Sequence, residues 1–279
     1  MATIKQALRQ ANTLQQVSDS WKLDAELLLA EAIEQSREYL LTWPNQKLTQ
    51  SEFEKFDSYC GRRLIGEPIA YILGRQAFWD FELMVNPSVL IPRPETELLV
   101  ETALELLDKS AAATVLDLGT GSGAIALALA SNNKCWNVTA VDNSESALRV
   151  AADNAKLLQL TNIEFIQTSW CDGLAADNFD LIAANPPYVE AGDKHLAKEG
   201  LPFEPIGALV AKENGFADIR TIAEQSRHCL RMNSWLLIEH GFQQKQGVEK
   251  ILVDIGYSNV ECVKDLANLD RLTKAQWLH

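Results

Sequence analysis

The chain has few of the residues that bind polyanions or form cross-links. It carries 25 lysine and arginine residues against 38 aspartate and glutamate residues, which gives a formal net charge of -13 at pH 7. A surface field of that sign repels phosphate backbones, so extended nucleic acid is a disfavoured partner. The five cysteines are odd in number and scattered, and none falls in a Cys-x-x-Cys spacing. The sequence therefore supports neither a disulfide framework nor a zinc site, and we expect no metal.

The sequence also lacks long hydrophobic runs. No stretch approaches the roughly 18 to 20 apolar residues that a membrane-spanning helix needs. Residues 1–30 interleave polar and charged positions with single apolar ones, without the basic start and unbroken apolar core of a secretory signal. We therefore expect a cytoplasmic protein with no membrane partner. With 279 residues, 47% of them hydrophobic, the chain is long enough for one large domain and a small one.

The N-terminal part of the chain has apolar residues at helical spacing. One such stripe follows Asp24, and the pattern continues to about residue 72. We predict a small helical domain over residues 1–73. Residues 74–92 change to a strand-like pattern with Asn86-Pro87 as a turn signal, which predicts a hairpin linker.

From residue 93 to the C-terminus, strand-like runs alternate with helical stretches. The strand-like runs are 114–118, 137–141, 163–166, 179–184 and 235–239, with two more near the C-terminus. The helical stretches are 94–107, 124–130, 145–158, 215–230 and 243–255. Such alternation is typical of a parallel α/β sheet covered by helices. We predict that residues 93–279 form one catalytic domain of this class.

A glycine-rich loop follows the first of these strands. Gly119-Thr120-Gly121-Ser122-Gly123 separates the strand from an alanine-rich helix. Glycines let the backbone turn tightly and approach a ligand, and the start of the helix offers unpaired N–H groups. No Gly-Lys-Ser/Thr sequence follows, which excludes a P-loop. These five residues predict a nucleotide site.

Asp142 adds a second element to the nucleotide site. It lies at the end of the next predicted strand, about twenty residues on, where a carboxylate can accept hydrogen bonds from both ribose hydroxyls. The spacing Gly119-x-Gly121-x-x-Ala124 also satisfies the relaxed dinucleotide fingerprint, so an NAD-dependent dehydrogenase stays open at this point. The loop and Asp142 together locate a ribose and do not decide the reaction.

Asn185-Pro186-Pro187-Tyr188 follows the strand 179–184. Ligands of open parallel sheets bind beyond the carboxyl ends of the strands, so we expect this segment to face the same crevice as the glycine loop. Prolines fix φ and carry no N–H, so the segment presents carbonyl oxygens on a stiff backbone. We predict that the Asn185 side-chain oxygen and the Pro186 carbonyl accept the N–H groups of a substrate amide or amine, with Tyr188 packed against its plane. Positioning then supplies most of the catalysis.

A nucleotide loop beside acceptors for a planar nitrogen indicates an S-adenosylmethionine-dependent methyltransferase that acts on nitrogen. Asn-Pro-Pro-Tyr alone leaves DNA adenine and protein glutamine open. An adenine-N6 nucleic-acid methyltransferase should carry a basic groove or a sizeable recognition region, and the acidic balance of the chain weakens that alternative. If the chain were an NAD-dependent dehydrogenase, residues 185–188 would have no role. If it were a non-catalytic nucleotide-binding adaptor, the presence of these four residues would be incidental.

Further motifs extend the pattern over nearly the whole chain. They are Arg62-Arg63-x-x-Gly66-Glu67-Pro68-Ile69-Ala70-Tyr71, Gly74-x-x-x-Phe78-Trp79 and Leu90-Ile91-Pro92-Arg93-Pro94-Glu95-Thr96-Glu97. With these motifs the chain resembles the protein-(glutamine-N5) methyltransferases that modify peptide chain release factors. The resemblance implies a class I S-adenosylmethionine-dependent methyltransferase, with a Rossmann-like seven-stranded sheet and a small N-terminal helical domain that helps to hold the release factor. It also implies the substrate, the glutamine of the Gly-Gly-Gln motif.

The resemblance further assigns residues to roles. It implies that S-adenosyl-L-methionine contacts Gly119, Thr120, Gly121, Ser122, Gly123, Asp142, Trp170 and Asn185. Trp170 matches the position that lines the adenine. It implies that the glutamine is clamped by Asn185, Pro186, Pro187 and Tyr188, of which Asn185, Pro186 and Tyr188 are the predicted catalytic residues. We expect a role in translation termination and no direct contact with nucleic acid. The preferred release factor and the roles of Arg93 and Glu95 stay open.

Overall fold

The computed structural model describes residues 2–197 and 200–279. The chain divides into two compact units. The first, here called the helical unit, consists of Met1–Arg75 and Lys194–Phe203. The second, here called the sheet unit, consists of Gln76–Asp193 and Glu204–His279. The predicted boundaries at residues 73 and 92 stay predictions.

The helical unit is built on short amphipathic helices. They are α1 (Ile4–Gln10), α2 (Trp21–Ala32), α3 (Arg37–Thr42), α4 (Gln50–Leu64) and α5 (Ile69–Leu73). A capping box starts α4, because the Thr49 side chain accepts from the Glu52 N–H while the Glu52 side chain accepts from the Thr49 N–H. Leu28, Leu29 and Leu14 are fully buried in its core. The helical spacing seen in the sequence is therefore the apolar side of packed helices.

A large mixed sheet dominates the sheet unit. The strands are β1 (Arg75–Phe78), β2 (Phe81–Met84), β3 (Ala113–Leu118), β4 (Trp136–Asp142), β5 (Ile163–Gln167), β6 (Phe179–Ala184), β7 (Val189–Glu190), β8 (Val210–Ala211), β9 (Leu230–Glu239), β10 (Ser258–Lys264) and β11 (Asp270–Trp277). The helices are α6 (Glu97–Leu106), α7 (Ala124–Asn132), α8 (Glu145–Leu157), the single turn α9 (Lys212–Gly215), α10 (Ala217–Cys229) and α11 (Lys245–Ile255). Seven of the described strands form one sheet in the order β10-β11-β9-β6-β3-β4-β5. The predicted seven-stranded methyltransferase architecture is confirmed.

The sheet departs from an all-parallel arrangement at one edge. Strands β3, β4, β5, β6 and β9 pair in parallel, whereas β11 is antiparallel to both β9 and β10. The short connection 265–269 between β10 and β11 allows only an antiparallel pair, because a parallel pair needs a crossover of a dozen residues or more. The alternation of strands and helices ends before these last two strands, and the prediction of a parallel sheet is wrong for β11.

The linker hairpin also differs from the sequence prediction. Its two strands, β1 and β2, turn at Trp79-Asp80 and not at Asn86-Pro87. Trp79 has a positive φ of 59°, as a tight turn demands. Asn86 instead makes a local turn of its own, in which its side chain accepts from the Ser88 N–H at 2.8 Å. Phe78 is 1% exposed and belongs to the core of the sheet unit.

Strand register brings the ends of four strands to one edge of the sheet. Leu118 of β3 pairs with Val141 of β4 and with Ala184 of β6, and Ala184 pairs in turn with Ile238 of β9. The residues that follow, from 119, 142, 185 and 239 onward, therefore start side by side. Both faces of the sheet are buried, since Val115 and Leu116 lie in separate core clusters.

Among the described residues, no helix is long and apolar enough to cross a membrane.

Candidate active site

The glycine loop (residues 119–123) follows β3 at this edge. Gly119, Gly121 and Gly123 all have positive φ, at 73°, 56° and 88°. A Cβ at Gly119 would lie 3.3 Å from the ring of Trp170, and a Cβ at Gly123 would lie 2.8 Å from Cδ1 of Leu127. Both the backbone conformation and the close packing therefore favour glycine here.

Asp142 is fixed by the loops on either side of it. Its Oδ2 accepts from the Gly121 N–H and its Oδ1 accepts from the Ser144 N–H, each at 2.9 Å. Each carboxylate oxygen has about two acceptor directions, so one remains on each oxygen after these bonds. The carboxylate is oriented before any ligand arrives and keeps acceptors for two hydroxyls.

A cavity of about 390 Å³ lies against these residues. Its size falls in the range of small-molecule sites, roughly 300 to 1,000 Å³. Of the predicted site residues, the cavity is lined by Gly119, Thr120, Gly121, Ser122, Asp142, Trp170, Asn185 and Pro187. Among the described residues the lining does not include Gly123, Pro186 or Tyr188. The structure thus brings the glycine loop, Asp142, Trp170 and the start of the Asn185 segment to one cavity.

Trp170 is held in an uncommon conformation at the cavity wall. Its φ is 49°, a value that bulky residues rarely adopt. Its ring packs over Gly119, and both Trp170 and Asp218 line the cavity. Burial raises the pKa of the Asp218 carboxyl, and the neighbouring Trp170 side chain opposes that rise. The packing against Gly119 therefore holds a flat aromatic surface at the cavity wall.

Asn185 is the first residue after β6. Its Nδ2 donates to Oγ1 of Thr96 at 3.1 Å, and Thr96 is 4% exposed. Thr96 ends a 3-10 turn (Pro94–Thr96) that precedes α6, so the predicted helix at residue 94 begins with this turn. Since the donor end of the Asn185 amide is engaged, its Oδ1 remains as an acceptor at the cavity. That is the group that the sequence assigns to a substrate N–H.

Tyr188 ends the acceptor segment (residues 185–188) and is anchored through its backbone. Its carbonyl accepts from Nε2 of Gln244 at 3.1 Å. A Cβ at Gly215 would lie 2.2 Å from the same carbonyl, so only glycine fits there. The Tyr188 side chain packs against the core cluster that contains Ile238. Burial raises its pKa, and the neighbouring Glu239 raises it further.

Two buried carboxyl groups behind the cavity were missed by sequence reasoning. Asp117 accepts from the Thr120 hydroxyl at 2.7 Å and from the Ala126 N–H at 3.2 Å, and burial raises its pKa to about 7. Glu239 is 1% exposed, and burial raises its pKa to about 7 as well. Both interrupt apolar strands near their carboxyl ends. An acidic residue within such a strand is the signal that could have found them.

Arg93, whose role the sequence left open, forms an ion pair in the cavity wall. Its guanidinium donates to Oε1 of Glu204 at 2.5 Å, and Oε2 of Glu204 accepts from the Ile91 N–H at 3.1 Å. The Glu204 side chain is 2% exposed. Arg93 and Pro205 both line the cavity. The ion pair therefore ties together two segments of the cavity wall.

Comparison with known proteins places the chain in a family. Residues 6–74 match the family model described as the PrmC N-terminal domain, and residues 94–199 match the methyltransferase small domain. The chain is 48% identical over 280 residues to the release factor glutamine methyltransferase of Vibrio cholerae, a match that covers 99% of this chain and 97% of that one. The protein of the same description from Escherichia coli is 42% identical, with 97% of each chain covered. The chain belongs to the release factor glutamine methyltransferase family. The resemblance inferred from the motifs is confirmed.

Solved structures agree with this family at the level of the fold. A methyltransferase from Pyrococcus furiosus superposes with a TM-score of 0.53 at 16% identity, covering 80% of this chain and all 100% of that one. The 16S rRNA N2 G1207 methyltransferase of Thermus thermophilus, solved with AdoMet and guanosine, gives a TM-score of 0.52 at 19% identity, covering 73% of this chain and 49% of that one. At such identities the likeness shows the class I methyltransferase fold alone.

Proposed function

We propose that the protein transfers a methyl group from S-adenosyl-L-methionine to the side-chain amide nitrogen N5 of the glutamine in the Gly-Gly-Gln motif of a peptide chain release factor. The observation that carries this proposal is the orientation of Asn185. Its Nδ2 is engaged by Thr96, so its Oδ1 is available to a substrate N–H at the cavity. The curated relatives are named for this reaction type, which supports the same substrate class.

The cavity lining fits the proposed cofactor. The oriented carboxylate of Asp142 suits two ribose hydroxyls, and the ring of Trp170 suits a flat adenine. The glycine loop allows the methionine part to approach the backbone. When bound, S-adenosyl-L-methionine supplies an electrophilic methyl group on a sulfonium. Gly123 lies beneath the loop against Leu127, so its proposed contribution is to shape the loop.

The proposed catalytic contribution of the chain is to orient a poor nucleophile. The lone pair of an amide nitrogen is delocalised, and acceptors for both of its N–H groups hold the nitrogen in one orientation. Asn185 supplies its side-chain oxygen, and the stiff Pro186-Pro187 backbone supplies the Pro186 carbonyl. The nitrogen becomes cationic as the methyl group arrives, and these oxygens stabilise that charge before the proton leaves. No strong general base is required.

The remaining assignments follow the same proposal. Residues 1–73 would contact the release factor, residues 74–92 would link the two parts, and residues 93–279 would carry out catalysis in the cytoplasm. An adenine-N6 nucleic-acid methyltransferase is the alternative closest in chemistry. The net charge of -13 and the names of the curated relatives favour the protein substrate. An NAD-dependent dehydrogenase is disfavoured by family membership.

A methyl-transfer assay tests the proposal directly. Purified protein is incubated with labelled S-adenosyl-L-methionine and an unmethylated release factor, and a DNA substrate serves as a parallel arm. We expect one added methyl group on the glutamine of the Gly-Gly-Gln peptide by mass spectrometry, and none on DNA. A folded, cofactor-binding protein that leaves the peptide unmodified would refute the proposal. Methyl transfer to adenine alone would favour the alternative.

A further inference from the structure

The inference concerns Asn154, a polar residue on the buried side of α8. The other buried residues of this helix are apolar: Ala147, Leu148, Val150, Ala151 and Ala155. Asn154 is 0% exposed, although its place on the helix would suit an apolar side chain. Asparagine lowers helix stability relative to alanine, and a buried amide costs free energy unless its polar groups are hydrogen-bonded. An asparagine at this position therefore needs an explanation.

The amide of Asn154 is fully hydrogen-bonded to backbone groups. Its Oδ1 accepts from the Met84 N–H at 2.7 Å, and its Nδ2 donates to the Met84 carbonyl at 3.0 Å and to the Ser122 carbonyl at 2.9 Å. The two donated bonds use both hydrogens of the NH₂ group. The partners also determine which way the amide faces, because an N–H can only donate and a carbonyl can only accept.

One of these partners lies in the glycine loop. Ser122 lines the cavity and is only 3% exposed, and the bond to Asn154 fixes the direction of its carbonyl. The N–H of the preceding residue, Gly121, donates to Asp142. Successive residues of the loop are thus held by Asp142 at the end of β4 and by Asn154 on α8. Without Asn154, a buried carbonyl would lose its donor and this part of the loop would lose one of its two anchors.

The other partner, Met84, is the last residue of β2. Residues 85–90, here called the wall segment, follow it, and residues 88–90 line the same cavity. Asn154 binds both the N–H and the carbonyl of Met84, as the opposite residue of a neighbouring antiparallel strand would. The start of the wall segment is therefore attached through α8 to the glycine loop.

We propose that Asn154 is a positioning residue for cofactor binding, whose side-chain amide holds the glycine loop and the wall segment at a fixed separation. The two segments form different parts of the cavity lining, and the backbones of both are bonded to this one amide. Asn154 itself lies outside the lining that the described residues form, so it acts through them. The inference rests on the proposed function in one respect, the assignment of the cavity to S-adenosyl-L-methionine.

Substitutions at Asn154 test this role. Asn154→Asp keeps the shape of the side chain and the acceptor for the Met84 N–H, but it replaces the donor group by an oxygen that faces two carbonyls. Asn154→Ala removes the amide without adding a charge, and it decides the question if the aspartate variant does not fold. We expect cofactor Kd measured by calorimetry to rise roughly 10- to 100-fold in Asn154→Asp and about tenfold in Asn154→Ala. With saturating cofactor, kcat on a release factor should stay within a few fold of wild type.

Asn162→Asp is the matched control for a structural role. The Asn162 side chain donates to the carbonyls of Ala130, Asn133 and Trp136 at 3.0 to 3.1 Å. These groups lie near the amino ends of β4 and β5, at the opposite edge of the sheet, and none of the four residues belongs to the described cavity lining. Both aspartate variants should lower Tm, but only Asn154→Asp should raise cofactor Kd. An equal rise in Asn162→Asp, or an unchanged Kd in the Asn154 variants, would overturn the proposal.

Hydrogen exchange in wild-type protein tests the link between the two segments without a substitution. Mass spectrometry follows peptides that cover residues 82–86 and 119–124, with and without saturating S-adenosyl-L-methionine. Residues 82–86 lie outside the described cavity lining, so direct contact with the cofactor does not explain slower exchange there. We expect the cofactor to slow exchange in both peptides of wild-type protein, and in residues 119–124 alone in Asn154→Ala.

The outcomes separate this inference from the proposed function. If the cofactor slows exchange in residues 119–124 of wild-type protein and leaves residues 82–86 unchanged, Asn154 does not couple the two segments and the inference is wrong, even if the release factor is methylated. If both peptides respond as expected but no release factor is methylated, the proposed function fails and the role of Asn154 in cofactor binding stands.

Discussion

The glycine loop and the acceptor segment both follow parallel strands and reach the same cavity, but they are held in different ways. The glycine loop is held by one contact within the loop, the Gly123 N–H to the Thr120 carbonyl at 2.8 Å, and by polar partners up to 32 positions away, since Asp142 accepts from the Gly121 N–H and Asn154 donates to the Ser122 carbonyl. The acceptor segment depends on partners distant in sequence: Thr96 is 89 positions from Asn185, and Gln244 is 56 from Tyr188. The polar partners of the glycine loop therefore come from the next two elements of the chain, whereas those of the acceptor segment come from more distant parts of the sheet unit.

The largest expected effect comes from a substitution in the acceptor segment alone. Asn185→Ala removes the side-chain oxygen that we propose for the substrate amide. We expect kcat to fall by about 10²- to 10³-fold, as for the loss of one transition-state hydrogen bond, while cofactor Kd measured by calorimetry changes little. A parallel loss of cofactor affinity would make Asn185 primarily a cofactor residue.

A substitution at Asp142 should have the opposite pattern of effects: it should weaken cofactor binding and leave the acceptor segment intact. Asp142→Asn weakens the pair of acceptors proposed for ribose hydroxyls, and we expect cofactor Kd to rise about 10- to 100-fold. With saturating cofactor, kcat should remain within a few fold of wild type. Asp153→Asn is the control, because Asp153 is exposed on α8 and loses the same charge. Equal changes in the two variants would mean that only the net charge matters.

The packing of the glycine loop against Trp170 can be tested with a matched pair of glycines. Gly119 and Gly173 have nearly the same positive φ, 73° and 74°, but only a Cβ at Gly119 meets a ring, at 3.3 Å. Either alanine costs on the order of 1–2 kcal/mol of backbone strain. Gly119→Ala should in addition shift Trp170 and raise cofactor Kd about tenfold, since the adenine surface moves. An equal Kd for Gly119→Ala and Gly173→Ala would remove Trp170 from the cofactor site.

The same contrast explains how much of the molecule could be predicted from sequence. The apolar run 179–184 and the loop after residue 118 are local patterns, and the structure has β6 and the glycine loop at those positions. The turn at Trp79 was wrongly placed at Asn86-Pro87, because two segments with turn chemistry lie close together and tertiary packing selects between them. Thr96 and Gln244 could not be assigned, since their hydrogen bonds to the acceptor segment depend on contacts across the folded sheet unit.

The smallest expected effect is on the pH dependence of the free energy of unfolding, to which two buried carboxyl groups of similar pKa contribute. Burial raises the pKa of Glu239 from 4.5 to about 7, so the folded protein binds more protons than the unfolded chain between these values. Its contribution to stability is fully present below about pH 4.5 and is lost as pH rises through about 7, on the order of 1–3 kcal/mol. Glu239→Gln should therefore reduce the decline in the free energy of unfolding between about pH 5 and 8. Urea titrations across this range measure it.

Asp117 provides the control, because burial raises its pKa to about 7 as well, yet it contacts Thr120 and the Ala126 N–H of the glycine loop region. Asp117→Asn should reduce the same decline in the free energy of unfolding, because burial raises the pKa of Asp117 in the same direction, and the double variant with Glu239→Gln should lose about the sum of the two effects. An unchanged decline in Glu239→Gln beside a reduced one in Asp117→Asn would assign the pH dependence of stability to the glycine loop and not to the end of β9.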